Sequence, residues 1–99
     1  MEWLWTWKGK SFGYRNGDEL RTRDGRHVGR FIDDEIYAPD GRYLGEVIDG
    51  RLITHESKKS RRKASFTPKS TLIGQVGRIG YVGNVMLAGY EEFPSADEL

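Results

Sequence analysis

The sequence predicts an all-β domain: a pseudo-fourfold arrangement of four repeated β-hairpins on a sixteen-residue period, with an insertion in the fourth repeat and a C-terminal closing strand. Three observations lead there. When the chain is laid over itself with a shift of sixteen, Leu4, Leu20, Ile36 and Leu52 coincide, and so do Gly9, Gly25 and Gly41. Each of those glycines is followed by a base (Lys10, Arg26 or Arg42) and then by an apolar-Gly pair, Phe12-Gly13, Val28-Gly29 or Leu44-Gly45. A unit of this length is also too short for a β-α-β crossover, so the repeated part is expected to hold no helix.

Within a unit the two glycines have different uses. Asp24-Gly25 and Asp40-Gly41, like Asn16-Gly17 and Asp49-Gly50 between units, accept the positive φ of tight hairpin turns. The second glycine follows an apolar residue inside a strand pattern, where a missing side chain marks a bulge or the close approach of another backbone. A unit is therefore one bent hairpin. A two-stranded hairpin is marginal alone in water, so the four must share a core. In the fourth copy Leu52 is in register, but the next apolar-Gly pair comes late, at Val76-Gly77-Arg78-Ile79, so an insertion of about residues 57–75 is expected. The stretch Tyr81 to Ala88 is expected to pair with the first strand, Trp3 to Trp7, and remove its open edge. One domain over 1–93 and a mobile acidic tail over 94–99 complete the layout.

This pattern of sequential hairpins, with Asp-Gly-Arg turns and apolar-Gly pairs from about Leu4 to Gly89, resembles the four-fold beta-flower family of small bacterial domains. The resemblance implies a pseudo-fourfold β fold and attaches no activity or catalytic residue.

Composition sets limits on function. Leu, Ile, Val and Phe supply 22 of 99 residues, just above the fraction of about 20% below which chains tend to stay unfolded. Twelve aromatic residues and a net charge of +1 tip the balance toward a fold. There is no Cys, which excludes disulfides and thiolate metal sites. No apolar run reaches the ~20 residues that span a bilayer, no signal peptide is recognisable, and a cytoplasmic location is expected.

Two surfaces draw attention. Trp3, Trp5 and Trp7 alternate, so in a strand they share one face, with Tyr37 and Ile53 as the same-face counterparts of Trp5 in later units. Either the C-terminal segment or the insertion folds over the indoles as a second small core, or they stand as an aromatic wall. The wall gives the leading functional expectation: a non-catalytic binding module for a hydrophobic or amphiphilic, lipid-like small molecule or a partner chain, at that surface or in a central cavity. A homodimer through the same face is the close variant. The alternative is nucleic-acid binding by the loop 58–69, whose Lys58, Lys59, Arg61, Arg62, Lys63 and Lys69 are accompanied by no acid.

Catalysis finds no constellation. His27 and His55 do not share a repeat position or a metal-ligand spacing, and adjacent carboxylates such as Asp18-Glu19 point to opposite strand faces. No cofactor is expected. Glycines 74, 77, 80 and 83 superficially suggest a phosphate-binding loop, but no helix start follows them and the residues between are strand formers.

Overall fold

The computed structural model describes every residue from Met1 to Leu99. Eight strands follow in chain order: β1 (Glu2–Thr6), β2 (Ser11–Asn16), β3 (Glu19–Thr22), β4 (His27–Ile32), β5 (Glu35–Tyr37), β6 (Tyr43–Ile48), β7 (Arg51–His55) and β8 (Tyr90–Glu92). Neighbours in sequence are neighbours in the sheet, and β1 also pairs with β7 to close a seven-stranded barrel.

The hairpins repeat in detail. In each of the first three, a three-residue loop ends on a glycine with φ near +90°: Gly9 at +93°, Gly25 at +89° and Gly41 at +91°. Three-residue loops need such a residue, since it reverses the chain without splaying the strands. The register then slips at one place per unit. Leu4 faces Gly13 but Trp5 faces Ser11, Leu20 faces Gly29 but Arg21 faces His27, and Ile36 faces Gly45 but Tyr37 faces Tyr43. The extra residues are therefore Phe12, Val28 and Leu44, the apolar members of the apolar-Gly pairs, and all three are buried. A bulge re-aims a side chain, and here it aims one per hairpin into the core. The glycine that follows is where the next backbone comes close: a Cβ on Gly13 would collide with the carbonyl oxygen of Arg21.

The axis is filled. Leu4, Leu20, Ile36 and Leu52 lie at 0–1% exposure within a core that also holds Phe12, Val28 and Leu44, so no cavity runs along it. The fourth hairpin departs from the others. Its return strand is β8, which reaches β7 only after residues 56–89 and pairs Ile53 with Glu92. Phe93 thus falls in the register of Phe12, Val28 and Leu44; it is buried and meets Phe12 edge to face, with ring centroids 5.5 Å apart.

Three expectations are corrected here. Val76-Gly77-Arg78-Ile79 is not the fourth return strand, and residues 81–88 form no strand; both belong to one long connection. Closure is made instead by β1 on β7, with Trp5 facing Arg51 and Thr6 facing Leu52. That pairing is parallel because strands of an up-and-down meander alternate in direction, so first and seventh run the same way. Finally, residues 94–99 curl through a 3-10 turn, Ala96–Glu98, whose Ala96 and Leu99 pack on the core, and Arg26 donates to the carbonyls of both.

Candidate functional site

The connection between β7 and β8 is a belt that retraces the barrel. The amides of Lys63, Leu72 and Tyr81 donate to the carbonyls of Gly41, Gly25 and Gly9, and those of Phe66, Gln75 and Asn84 donate to Pro39, Arg23 and Trp7, at 2.6–3.1 Å. Belt residues nine apart thus bind hairpin residues sixteen apart, and the belt visits the third, second and first hairpins in that order. The turn glycines make this fit possible: a Cβ on Gly9, Gly25 or Gly41 would collide with the carbonyl oxygen of Tyr81, Leu72 or Lys63.

The belt covers the indoles. Trp5 stacks on Tyr81 with ring centroids 4.2 Å apart, and its Nε1 donates to the Ile79 carbonyl at 3.0 Å. Trp7 lies in the hairpin turn beyond β1, buried, with Nε1 donating to the Val85 carbonyl at 2.9 Å. Trp3 bonds to Ser11 Oγ at 3.0 Å and carries the Arg78 guanidinium 4.8 Å from its ring centroid. The two remaining members of the expected wall, Tyr37 and Ile53, are fully buried. The five residues therefore form no open face. The repeat position of Trp5 holds the belt in two units: where Trp5 donates to Ile79, its counterpart Arg21 donates to the Ser70 carbonyl at 2.9 Å, nine residues earlier in the belt.

Arg21 is itself buried, which requires a partner. Glu19 supplies it at 2.8 Å and reaches Lys69 of the belt at 2.7 Å. The Lys69 hydrogen bond, outweighing burial, and the adjoining Arg21 guanidinium hold the Glu19 carboxyl below the usual carboxylate range. Beside it the Lys69 amide donates to His27 Nδ1 at 2.9 Å, which leaves Nε2 as the protonated nitrogen facing the Gly29 carbonyl.

The basic residues are largely engaged. Lys58 pairs with Glu35 and Glu46 at 3.0 Å, Lys59 with Glu91 at 2.7 Å, and Arg61 with Glu35 at 2.9 Å. With Lys69 on Glu19, four of the six bind carboxylates; Lys63 lies over the Tyr37 ring, and Arg62 bridges to Arg42 through the backbone. The loop is thus fastened to the barrel by the charges that were candidates for phosphate contacts. The largest cleft, about 500 Å³, lies between the C-terminal turn and the second and third hairpins, and Arg26, Asp40, Arg42, Lys69 and Glu98 give it a polar lining. No group of three or more His, Asp or Glu side chains is placed to hold a metal ion.

What the sequence reading missed lies on the belt's outer side. From Leu72 onward every third amide finds a barrel acceptor: Leu72 on Gly25, Gln75 on Arg23, Arg78 on Ser11 Oγ, Tyr81 on Gly9 and Asn84 on Trp7. Glycines 74, 77, 80 and 83 all abut the barrel, and at Gly80 and Gly83 an added Cβ would lie 2.7 Å from the carbonyl oxygens of Gly9 and Lys8. An extended chain of three residues per turn with no internal hydrogen bonds has the habit of polyproline II, and it must find its hydrogen bonds elsewhere. The remaining class, Ile73, Val76, Ile79, Val82 and Val85, faces solvent at 84–91% exposure. The signal stands in the sequence as β-branched-Gly-X triplets, a threefold period that belongs neither to a phosphate loop nor to a strand.

No family model, no curated protein and no solved structure matches the chain. The functional reading therefore rests on the geometry. No helix is long and apolar enough to cross a membrane.

Proposed function

We propose that this chain is a non-catalytic interaction module that binds a partner polypeptide through the outer row of its belt. The observation that carries the reading is the unbroken series of five exposed β-branched side chains at every third position. Contiguous apolar surface of this kind marks an interaction site far more often than isolated exposed residues do. The partner-chain form of a binding module is favoured over the small-molecule form on two grounds. The indoles already hold the chain's own belt, and the core axis is filled. The nucleic-acid alternative gains no observation, because its bases are mostly paired with barrel carboxylates.

Titration with dodecanoate, followed by tryptophan emission, separates the two forms. The Trp5 and Trp7 indole N–H groups already bond to belt carbonyls, so the expected result is no saturable change. A saturable shift at stoichiometric ligand would restore the small-molecule form and overturn this one.

A further inference from the structure

Resting on that reading, we infer that the partner is a second copy of this chain, docked belt against belt about a two-fold axis through the row Ile73, Val76, Ile79, Val82 and Val85. Three properties of the row point to itself as its complement.

The first is spacing. At ~3.1 Å rise per residue, side chains three apart in a polyproline II-like chain stand ~9.3 Å from one another. An identical row shifted by half that distance places alternate side chains ~4.7 Å apart, which is close to ordinary apolar contact. A β-strand or an α-helix repeats at other intervals and matches only locally.

The second is charge. Between residues 70 and 90 Arg78 is the only charged side chain, and its guanidinium lies over the Trp3 ring. In a two-fold interface the same patch meets itself, so a charged face would oppose like charges. This row brings none to its centre, although the chain carries 16 bases and 15 acids.

The third is area. At ~100 Å² of apolar surface per Val or Ile side chain, five supply ~500 Å². Leu72 and Leu87, also exposed, neighbour the row in sequence and extend the face toward the ~800 Å² per partner of a standard stable interface. The belt offers no strand edge, since residues 64–87 form none; the contact is one of side chains.

Sedimentation velocity on the full chain across a concentration series tests this. Wild type is expected to run at twice its 11.4 kDa mass. Ile79→Arg, Val76→Arg and Val82→Arg, tested singly, are each expected to weaken the dimer at least ~100-fold, the effect of an unpaired charge in an apolar centre. Ile79→Val should restore it. The replaced side chains touch solvent, so tryptophan emission should be unchanged and reports folding in each variant. A wild type that stays monomeric at every concentration overturns the second copy as partner; if dodecanoate is also silent, the partner-chain reading survives that result. A dimer indifferent to all three arginines overturns the row as its interface.

Discussion

At the scale of the residue, glycine is used in ways that differ in energetic consequence. Gly25 has φ at +89°, and a Cβ there would strike the Leu72 carbonyl; Gly17 has φ at +63°, and a Cβ there would meet nothing. Both substitutions by alanine carry the conformational cost of a positive φ, ~1 kcal/mol. Only Gly25→Ala must also push the belt away. Urea denaturation should therefore give a distinctly larger loss of stability for Gly25→Ala than for Gly17→Ala, and equal losses would deny the belt contact. The second glycine allows close backbone approach at Gly13 and Gly45, and close approach of the Ile36 side chain at Gly29, while the residue before it turns inward as the bulge.

At the scale of the element, the hairpins satisfy most of their hydrogen bonds by pairing, whereas the belt depends on acceptors presented by the barrel. The His27 region is one of its fastenings, with Glu19, Arg21 and Lys69 around the ring and Phe66 tilted against it, ring centroids 5.2 Å apart. Burial holds the His27 pKa below its ordinary 6.5, against the pull of the Glu19 carboxylate. Below pH 6.5 the unfolded chain therefore takes up the proton more readily than the folded one. The contribution of His27 is complete above that pH and is lost as pH falls through the folded value. Glu19 acts in a lower window: its contribution is present above about 4.5 and disappears as pH falls through its depressed value. The urea midpoint of the wild type should fall between pH 7 and pH 5, with a lower protection factor for the Lys69 amide. His27→Gln should flatten that fall while leaving the loss below pH 4.5. A slope unchanged by His27→Gln would remove the histidine from this role.

At the scale of the whole molecule, the count of strands follows from the interrupted fourth hairpin. The edge of β7 is shared: β1 takes Arg51 and Leu52, and β8 takes Ile53 to His55. Phe93 then supplies the inward residue that the first three hairpins provide by their bulges. Phe93→Ala should cost ~3–5 kcal/mol in global unfolding, as expected for a large aromatic removed from a packed core. Leu99→Ala, at a half-buried position beside the same core, should cost markedly less. Comparable losses would mean that Phe93 is a peripheral cover and not the fourth part of the core.

The sequence by itself determined the all-β class, the sixteen-residue hairpin, its turns and the shared repeat position of Leu4, Leu20, Ile36 and Leu52, whereas their filling of the axis was decided by the tertiary structure. Those features depend on side-chain alternation and on backbone angles that a few neighbouring residues dictate. It also singled out Trp3, Trp5 and Trp7, and one of the two accounts it allowed for them, a covering by distant chain, is the arrangement found. Tertiary structure alone decided what lies over the indoles, which segment returns to β7, and that Ile73 to Val85 turn their β-branched side chains outward. An extended segment without hydrogen bonds of its own has no intrinsic path. Its course, and therefore the face it shows to solvent, is set by where the barrel places carbonyl acceptors and leaves room for glycine.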